Sequence, residues 1–387
     1  MSINKEAYIT GVGQSEVGVR LTRSPMGLTK DAVMQALADA GLRLDQIDGV
    51  ASYPGKSRGY LGFSPCGVDD VIEQFGIKAR WHFGGSEIPA QLSAIAEAAN
   101  AVKTGQARHV ICFRTVYEAA AMARPEEFGS LRSTTVEGYS QWTAPFFAIS
   151  AACWVAQYAM RHMHRYGMTR EQLGQVALNA NRNALLNPNA RAITSKPLTF
   201  DDYMAARPIT SPFCLYDCDR FTDCSTVIIV SAGDALDEIS ATPIRIAASA
   251  GKVDRWSWDQ AEWMASYATG PDLWAKTDYK PKDVNTVQFY DGFAFFPITW
   301  LEALGFCEVG EGHRFIEGGT RIARDGELPL NTGGGQIGAE RPRLFCVYPA
   351  GNPLAGQECG ATTDADCPPG LGDGTGKNLL IDSNLIL

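Results

Sequence analysis

A phenol and a carboxylate stand side by side at Tyr290 and Asp291, directly after residues 285–289, whose apolar pattern predicts a strand. Both groups can hold or release a proton, so the pair is suited to proton transfer at a strand end. The alternative for Tyr290 is a buried structural tyrosine. The residues alone leave both interpretations open.

The spacing that leads to Tyr290 is found a second time in the chain, where it leads to Tyr53. Val50 lies 41 residues after Ile9 and precedes a tyrosine by three positions, and Val287 lies 41 residues after Ile246 and precedes Tyr290 by three positions. The first segment follows the acidic, helix-ending residues 44–48, and the second follows residues 281–284. The spacing indicates two halves of one architecture.

Length and composition favour two cores. With 387 residues and 45% hydrophobic content, we predict an N-terminal half over 1–240 and a C-terminal half over 241–387.

A net charge of −9 argues against general affinity for nucleic acid or anionic membranes. No export signal or membrane span is evident, so we expect a cytoplasmic protein with reduced cysteines. Cys214, Cys218 and Cys224 cluster without zinc-site spacing and are interpreted as buried thiols, with no metal.

Helical and strand-like segments alternate, which indicates an α/β fold. We predict helices over 27–41 and 89–104, then a strand over 109–113. An insertion over about 114–215 precedes the next strand at 226–230 and has the length of a lid or substrate-covering subdomain, with helices at 151–166 and 170–186. Its aromatic residues could line an apolar substrate site or could be core and dimer contacts: Phe128, Tyr139, Trp142, Phe146 and Phe147.

Several segments, in order, resemble the thiolase superfamily, and most closely its sterol-carrier, lipid-transfer branch. The resemblance covers about residues 5–338 and is carried by the runs Ile9-Thr10-Gly11-Val12-Gly13, His164-Arg165-Tyr166-Gly167, Pro197-Leu198-Thr199, Asp223-Cys224-Ser225, Tyr290-Asp291-Gly292-Phe293 and Asn331-Thr332-Gly333-Gly334-Gly335. It implies a five-layered αβαβα sandwich of two similar halves, a homodimeric core, and acyl thioesters of coenzyme A as substrates. Fold alone does not give the reaction.

Two features of a true thiolase are missing. The family's nucleophilic cysteine belongs near Ile88, but no cysteine lies between Cys66 and Cys112. Ser86 is better interpreted as a helix cap than as a replacement nucleophile. The family's Gly-His-Pro segment after the glycine turn is also absent, because no histidine follows His313. Acyl transfer through a cysteine is therefore not expected, and neither is sensitivity to thiol alkylation.

What remains resembles the thiolase-like aldolases of steroid side-chain degradation. These cleave a β-hydroxyacyl-CoA by retro-aldol chemistry to a ketone and a shorter acyl-CoA. With this resemblance we predict Tyr290 and Asp291 as catalytic residues, Tyr290 being the acid/base. Backbone amides of Gly333, Gly334 and Gly335 would stabilise the enolate. No cofactor is expected beyond coenzyme A in the substrate, whose phosphate contacts stay open, with candidates Lys56, Arg58, Arg132 and Arg182.

The same group of aldolases works with a small partner that joins a zinc ribbon to an oligonucleotide-binding-type barrel, so the resemblance implies a heteromeric complex. Two alternatives stay open. One is a degenerate thiolase-like protein that binds or transfers lipid or acyl-CoA, and the other is an acetyl-CoA acetyltransferase.

The tail from about residue 340 departs from the family pattern. After Gly338 it is rich in glycine and proline, and only 344–348 and 379–381 look strand-like, so the closing strand of the second half is not expected. Neither Cys359 nor Tyr348 is a convincing substitute for a missing catalytic group. A shifted reading frame from Ala339 is one hypothesis, which sequencing the encoding DNA would test.

Overall fold

The computed structural model describes residues 6–56, 62–85, 92–128, 140–188, 190, 194–251, 264, 266–339, 378–381 and 384–386. The strands are Ala7–Gln14 (β1), Gly49–Ser52 (β2), Trp81–Gly84 (β3), His109–Tyr117 (β4), Pro208–Thr210 (β5), Phe213–Cys214 (β6), Asp223–Ala232 (β7), Ile244–Arg245 (β8), Ser249–Gly251 (β9), Thr286–Phe289 (β10), Asn378–Ile381 (β11) and Asn384–Ile386 (β12). The helices are Pro25–Ala40 (α1), Val68–Phe75 (α2), Ser93–Lys103 (α3), Glu118–Ala123 (α4), Pro125–Phe128 (α5), Ser140–Thr143 (α6), Ala151–Tyr166 (α7), Arg170–Leu185 (α8), Phe200–Met204 (α9), Ser266–Trp274 (α10), Phe295–Ala303 (α11), Gly312–Phe315 (α12) and Gly335–Ala339 (α13).

The first sheet has the strand order β3-β2-β4-β7-β1-β8. Its central strands β4 and β7 are buried along their whole length, because helices cover both faces. Helices α1 and α2 contribute to the apolar core on one face and α3 to the core on the other. This is the α/β arrangement that the alternating sequence pattern predicted.

Helix α1 shows how local sequence sets an element. The Ser24 side chain accepts a hydrogen bond from the Gly27 amide, Pro25 occupies the first turn, and Gly41, with φ of 72°, ends the helix. The helix lies close against β1, since a Cβ at Gly13 would come within 2.0 Å of the Ala32 carbonyl oxygen. The predicted helix over 27–41 was therefore right within two residues.

The second sheet repeats the first. Its order is β10-β11-β12-β9, with one parallel pair followed by two antiparallel pairs. The series β2-β4-β7-β1 has the same order and the same directions. Tyr53 follows β2 and Tyr290 follows β10, as the 41-residue spacing predicted. The two similar halves are confirmed.

The expectation that the tail lacks a closing strand was wrong. The strand-like segment at 379–381 lies in β11, and β12 follows it; together they join β10 to β9. The physical reason is that β9 and β10 do not pair with each other, so their backbone donors and acceptors need partners. Residues 340–377 lie outside the described residues, and the reading-frame hypothesis there stays a hypothesis.

The insertion of the first half lies between β4 and β7. It begins later than predicted, because β4 continues through Tyr117, where Arg114 and Thr115 are buried and paired with β7. Its helices α7 and α8 match the predictions closely. Both contribute to the apolar core of the second half, so they hold the halves together. Among the described residues, no helix is long and apolar enough to cross a bilayer.

Candidate active site at the end of strand β10

Asn331 fixes the end of β10. The Phe289 amide donates to Asn331 Oδ1 (2.7 Å), and Asn331 Nδ2 donates to the Phe289 carbonyl oxygen (3.0 Å). The backbone amide of Asn331 donates to the Val287 carbonyl oxygen (2.9 Å). The residue has φ of 47°, a left-handed conformation that asparagine tolerates better than most residues. The segment before the glycine turn is thereby joined to the strand that carries Tyr290 and Asp291.

Asp291 is buried, with 1% of its surface exposed. Its Oδ1 accepts a hydrogen bond from the Gln336 amide (2.7 Å), while its Oδ2 faces Gly335. Burial raises the pKa of the Asp291 carboxyl to about 7, although the Gln336 amide opposes that rise. A pKa near 7 is within the range in which general acids and bases work at neutral pH.

Tyr290 has different surroundings from Asp291. It is half-buried, and its ring packs against Phe296 with 5.2 Å between ring centroids. The phenol lies over Gly292, where a Cβ would come within 2.3 Å of the Tyr290 hydroxyl oxygen. Glycine at 292 therefore leaves the space that this position of the phenol requires. The structure places a partly accessible phenol next in sequence to a fully buried carboxyl.

The glycine turn lies against helix α8. Gly334 and Gly335 have φ of 100° and 60°, which glycine adopts without steric cost. The Gly334 amide donates to the Asn331 carbonyl oxygen (2.8 Å), so it is engaged within the turn. Of the three amides predicted to stabilise an enolate, those of Gly333 and Gly335 stay predictions. The turn reaches the β10 end through Asp291, which contacts both Gly335 and Gln336.

The other predicted residues lie elsewhere. Lys56 forms an ion pair with Asp70 (2.8 Å), and Arg182 donates to Asn179 Oδ1 (2.8 Å), so both coenzyme candidates have local partners. Among the aromatic residues of the insertion, Trp142, Phe146 and Phe147 are 65%, 83% and 79% exposed, which is wrong for a core role. Phe128 instead packs against Tyr117 (5.8 Å between centroids). Predictions on the following positions lie outside the described residues: Arg58, Ser86, Ile88, Arg132, Tyr139, Tyr348 and Cys359.

The three clustered cysteines predicted as buried thiols all lie among the described residues. Cys214 and Cys224 are buried and Cys218 is half-buried, and none of the three forms a disulfide. Burial raises the pKa of all three thiols. Within the described ranges, no group of three or more histidine, cysteine or acidic side chains is placed to hold a metal ion.

Comparison with known proteins identifies the family. Residues 257–361 match the family model described as "Thiolase C-terminal domain-like". The chain is 31% identical to a 17-hydroxy-3-oxo-4-pregnene-20-carboxyl-CoA lyase of Mycobacterium tuberculosis, over 87% of this chain and 88% of that protein. It is 30% identical to a steroid side-chain-cleaving aldolase of Thermomonospora curvata, over 86% and 85% of the two chains. This chain belongs to the thiolase superfamily.

Solved structures agree with this thiolase-like assignment. The structure titled "Ltp2-ChsH2(DUF35) aldolase" is 25% identical, has a TM-score of 0.76, and is matched over 100% of this chain and 98% of that one. Human mitochondrial 3-ketoacyl-CoA thiolase, 14% identical with a TM-score of 0.61, shares the fold. The α/β thiolase-like fold is confirmed. The family-model match extends to residue 361, beyond Gly338, where the resemblance was expected to stop.

Proposed function

We propose that this chain is a thiolase-like aldolase, a carbon-carbon lyase that cleaves a β-hydroxyacyl-CoA derived from a steroid side chain. The observation that carries the proposal is its similarity, over most of both chains, to two relatives named as a lyase and an aldolase of such substrates. Coenzyme A takes part only as the carrier in the substrate, and no further cofactor is required.

The site at the end of β10 supplies the groups that a retro-aldol cleavage needs. A base removes the proton of the β-hydroxyl, the Cα–Cβ bond breaks, and its electron pair moves to the thioester as an enolate while the β-carbon becomes a ketone. An acid then protonates the α-carbon. Tyr290 is half-exposed and is assigned the acid/base role, while Asp291, with a pKa of about 7, is suited to exchange protons beside it. The amides of Gly333 and Gly335 are the remaining candidates to stabilise the enolate oxygen.

Thiol chemistry fits this chain poorly. Cys66 and Cys112, the cysteines on either side of the position near Ile88 in sequence, are both buried. Burial raises the pKa of the Cys66 thiol to about 11. A thiol with such a pKa is almost wholly protonated at neutral pH and is a weak nucleophile. An acetyl-CoA acetyltransferase would need a reactive thiolate near the start of α3, and the sequence has no cysteine there.

The proposal includes a homodimeric core in the cytoplasm and a heteromeric complex with a small partner that joins a zinc ribbon to an oligonucleotide-binding-type barrel. Support for the partner comes from the matched aldolase structure, whose title names a DUF35 protein together with the aldolase. Such a partner would help to hold the acyl-CoA. We expect low activity from the isolated chain and recovery when a partner of this type is co-expressed.

The decisive experiment is a mass-spectrometric product assay with 17-hydroxy-3-oxo-4-pregnene-20-carboxyl-CoA, with and without the DUF35-type partner. The proposal predicts equal amounts of a steroid ketone and a shorter acyl-CoA. The matched control is the same thioester without the hydroxyl, which has no proton to give up and must stay intact. A complex that binds the hydroxylated thioester and returns it unchanged would instead be a carrier of acyl-CoA or lipid. Formation of a new acyl-CoA by acetyl transfer would identify an acyltransferase.

A further inference from the structure

Three buried asparagines form a row on one side of helix α8. Asn179, Asn183 and Asn187 are spaced four residues apart, which places them on one helical face and just beyond its end. Their exposed fractions are 1%, 0% and 3%. Buried polar side chains of this kind are costly unless they are hydrogen-bonded, so their partners indicate what they do.

All three side chains donate to the backbone that leads into the glycine turn. Asn179 Nδ2 donates to the Leu330 carbonyl oxygen (3.0 Å). Asn183 Nδ2 donates to the carbonyl oxygens of Leu330 and Asn331 (3.1 Å each). Asn187 Nδ2 donates to the Gly333 carbonyl oxygen (3.0 Å). Because every partner is a carbonyl oxygen, the donor in each case must be the amide nitrogen.

These contacts act on a segment that runs into three consecutive glycines, Gly333 to Gly335. Glycine permits many backbone conformations, so consecutive glycines do not fix their own peptide planes. A peptide carbonyl and the amide of the next residue point in opposite directions, so holding the Gly333 carbonyl also directs the Gly334 amide. That amide does point away, to the Asn331 carbonyl oxygen.

Close packing brings helix α8, which carries the row of asparagines, into contact with the glycine turn. A Cβ at Gly334 would lie 2.6 Å from Ala184 Cβ, and one at Gly338 would lie 2.4 Å from the Ala180 carbonyl oxygen. The turn and α8 are thus in contact without intervening side chains. Asn331, which receives one of these bonds through its carbonyl oxygen, holds Phe289 through its side chain, so the row is connected to the residue before Tyr290.

We propose that Asn179, Asn183 and Asn187 are positioning residues that set the peptide planes of the glycine turn relative to Tyr290. The inference rests on the proposed function, because it assigns these side chains a role in the same carbon-carbon cleavage. None of them needs to touch the substrate. They act through the backbone of residues 330–333. The held carbonyls of Asn331 and Gly333 lie on either side of the peptide that carries the Gly333 amide, so loss of these bonds displaces an amide proposed to meet the developing charge.

The test compares Asn183→Ala and Asn187→Ala with Asn181→Ala in the complex with its partner. Asn181 is the matched control, since it is on the same helix and only 4% exposed, but it bonds Thr194 and Leu198 instead of the turn. We expect kcat to fall about 10- to 100-fold in the first two variants, with KM changed less than about twofold, because a misplacement of about 1 Å costs up to about 10²-fold. Asn181→Ala should keep the wild-type kcat, with a melting temperature similar to those of the other two variants.

An isosteric change separates hydrogen bonding from packing. Asn187→Asp keeps the shape but replaces the donor with an acceptor facing the Gly333 carbonyl oxygen, so kcat should fall at least as far as in Asn187→Ala. If Asn187→Asp matches wild type, the hydrogen bond has no role and the inference is wrong.

Amide hydrogen exchange of the peptide covering residues 329–337 gives a readout independent of activity. Exchange should rise in Asn183→Ala and Asn187→Ala and stay unchanged in Asn181→Ala. Unchanged exchange in the first two, or faster exchange with wild-type kcat, overturns the inference. An inactive wild-type complex would overturn the proposed function instead, and exchange would still report whether the asparagines hold the turn.

Discussion

Oδ2 of Asp291 lies directly against the Cα of Gly335, so closely that a Cβ at Gly335 would come within 1.9 Å of it. The same carboxyl accepts the Gln336 amide through its other oxygen. One side chain from the end of β10 thus contacts the first two residues of helix α13. A change at Asp291 or Gly335 is therefore expected to affect both the end of β10 and the glycine turn.

Gly335→Ala tests this contact. The variant combines a left-handed conformation, φ of 60°, with a clash against a buried carboxylate, so we expect a loss of about 2–4 kcal/mol in the free energy of unfolding. Gly76→Ala is the control, because Gly76 has φ of 62° and nothing within 4 Å of its Cβ position. It should lose only about 1 kcal/mol in urea unfolding. Equal losses at the two positions would mean that the Asp291 contact is without effect.

Asp291→Asn should change how stability depends on pH. In the folded protein the pKa of Asp291 is raised from 3.8 to about 7, so the folded state keeps a proton that the unfolded state releases. The stability contribution is present below 3.8 and is lost as pH rises to about 7, by up to about 1.4 kcal/mol per pH unit. Asparagine keeps the acceptor for Gln336 and does not titrate. The free energy of unfolding of Asp291→Asn should increase relative to that of wild type as pH rises through this window. Urea unfolding that gives parallel curves of free energy against pH for the two proteins would contradict the prediction.

Tyr290→Phe should remove the acid/base and leave the fold intact. We expect kcat for ketone release to fall about 10²- to 10⁴-fold, the usual contribution of a general acid or base. The melting temperature should stay close to that of wild type, because the ring and its packing on Phe296 are retained. Tyr8→Phe, at a half-buried tyrosine on β1, controls for loss of a phenol as such. Full lyase activity in a folded Tyr290→Phe protein would remove Tyr290 from the mechanism.

Glu302→Leu tests the connection between the insertion and the second half. Glu302 is buried and accepts hydrogen bonds from His162 Nε2 (2.9 Å), Tyr267 Oη (2.6 Å) and the Gly312 amide (2.9 Å). Leucine leaves those donors unpaired, so urea unfolding should show a loss of about 3–5 kcal/mol. Glu311→Gln, which breaks an exposed pair with Arg314, should cost less than about 1 kcal/mol.

Wild type and Glu302→Leu give a second check, through the pH dependence of their free energies of unfolding. Burial alone would raise the pKa of Glu302, but the bonds from His162 and Tyr267 outweigh it and lower the pKa below 4.5. The stabilisation is therefore complete above 4.5 and is lost as pH falls through the folded-state pKa. The difference between wild type and Glu302→Leu should shrink in acid. A difference that stays constant would show that ionised Glu302 contributes nothing.

Sequence patterns predicted those parts of the fold that depend on local chemistry. The helix over 151–166 matched α7 at both ends, and the 41-residue spacing placed Tyr53 and Tyr290 after equivalent strands. The end of β4 was missed because Arg114 and Thr115 interrupt the apolar pattern, and only long-range pairing with β7 keeps them in the strand. Pairing of β11 with β10 was missed for the same reason, since nothing local indicates that distant partner.

The candidate site was predicted only in part. Tyr290 and Asp291 were selected by residue type and by family resemblance, but their separate surroundings depend on Gly292 and Gly335, which carry no side chains to indicate them. The four-residue spacing of Asn179, Asn183 and Asn187 was visible in the sequence. Its meaning required the backbone of residues 330–333, some 150 positions away, which no local pattern provides.

The strand order β10-β11-β12-β9 has a consequence for how the protein is made. On the ribosome, the strands of the first sheet have all been synthesised once residue 245 has emerged. Strands β9 and β10 are then synthesised without their neighbours, because the two strands between them come from residues 378–386. The second sheet can close only after more than 80 further residues have followed β10. During that interval the unpaired edges of β9 and β10 are open to other strands, so production of the native protein should depend on chaperones that shield such edges.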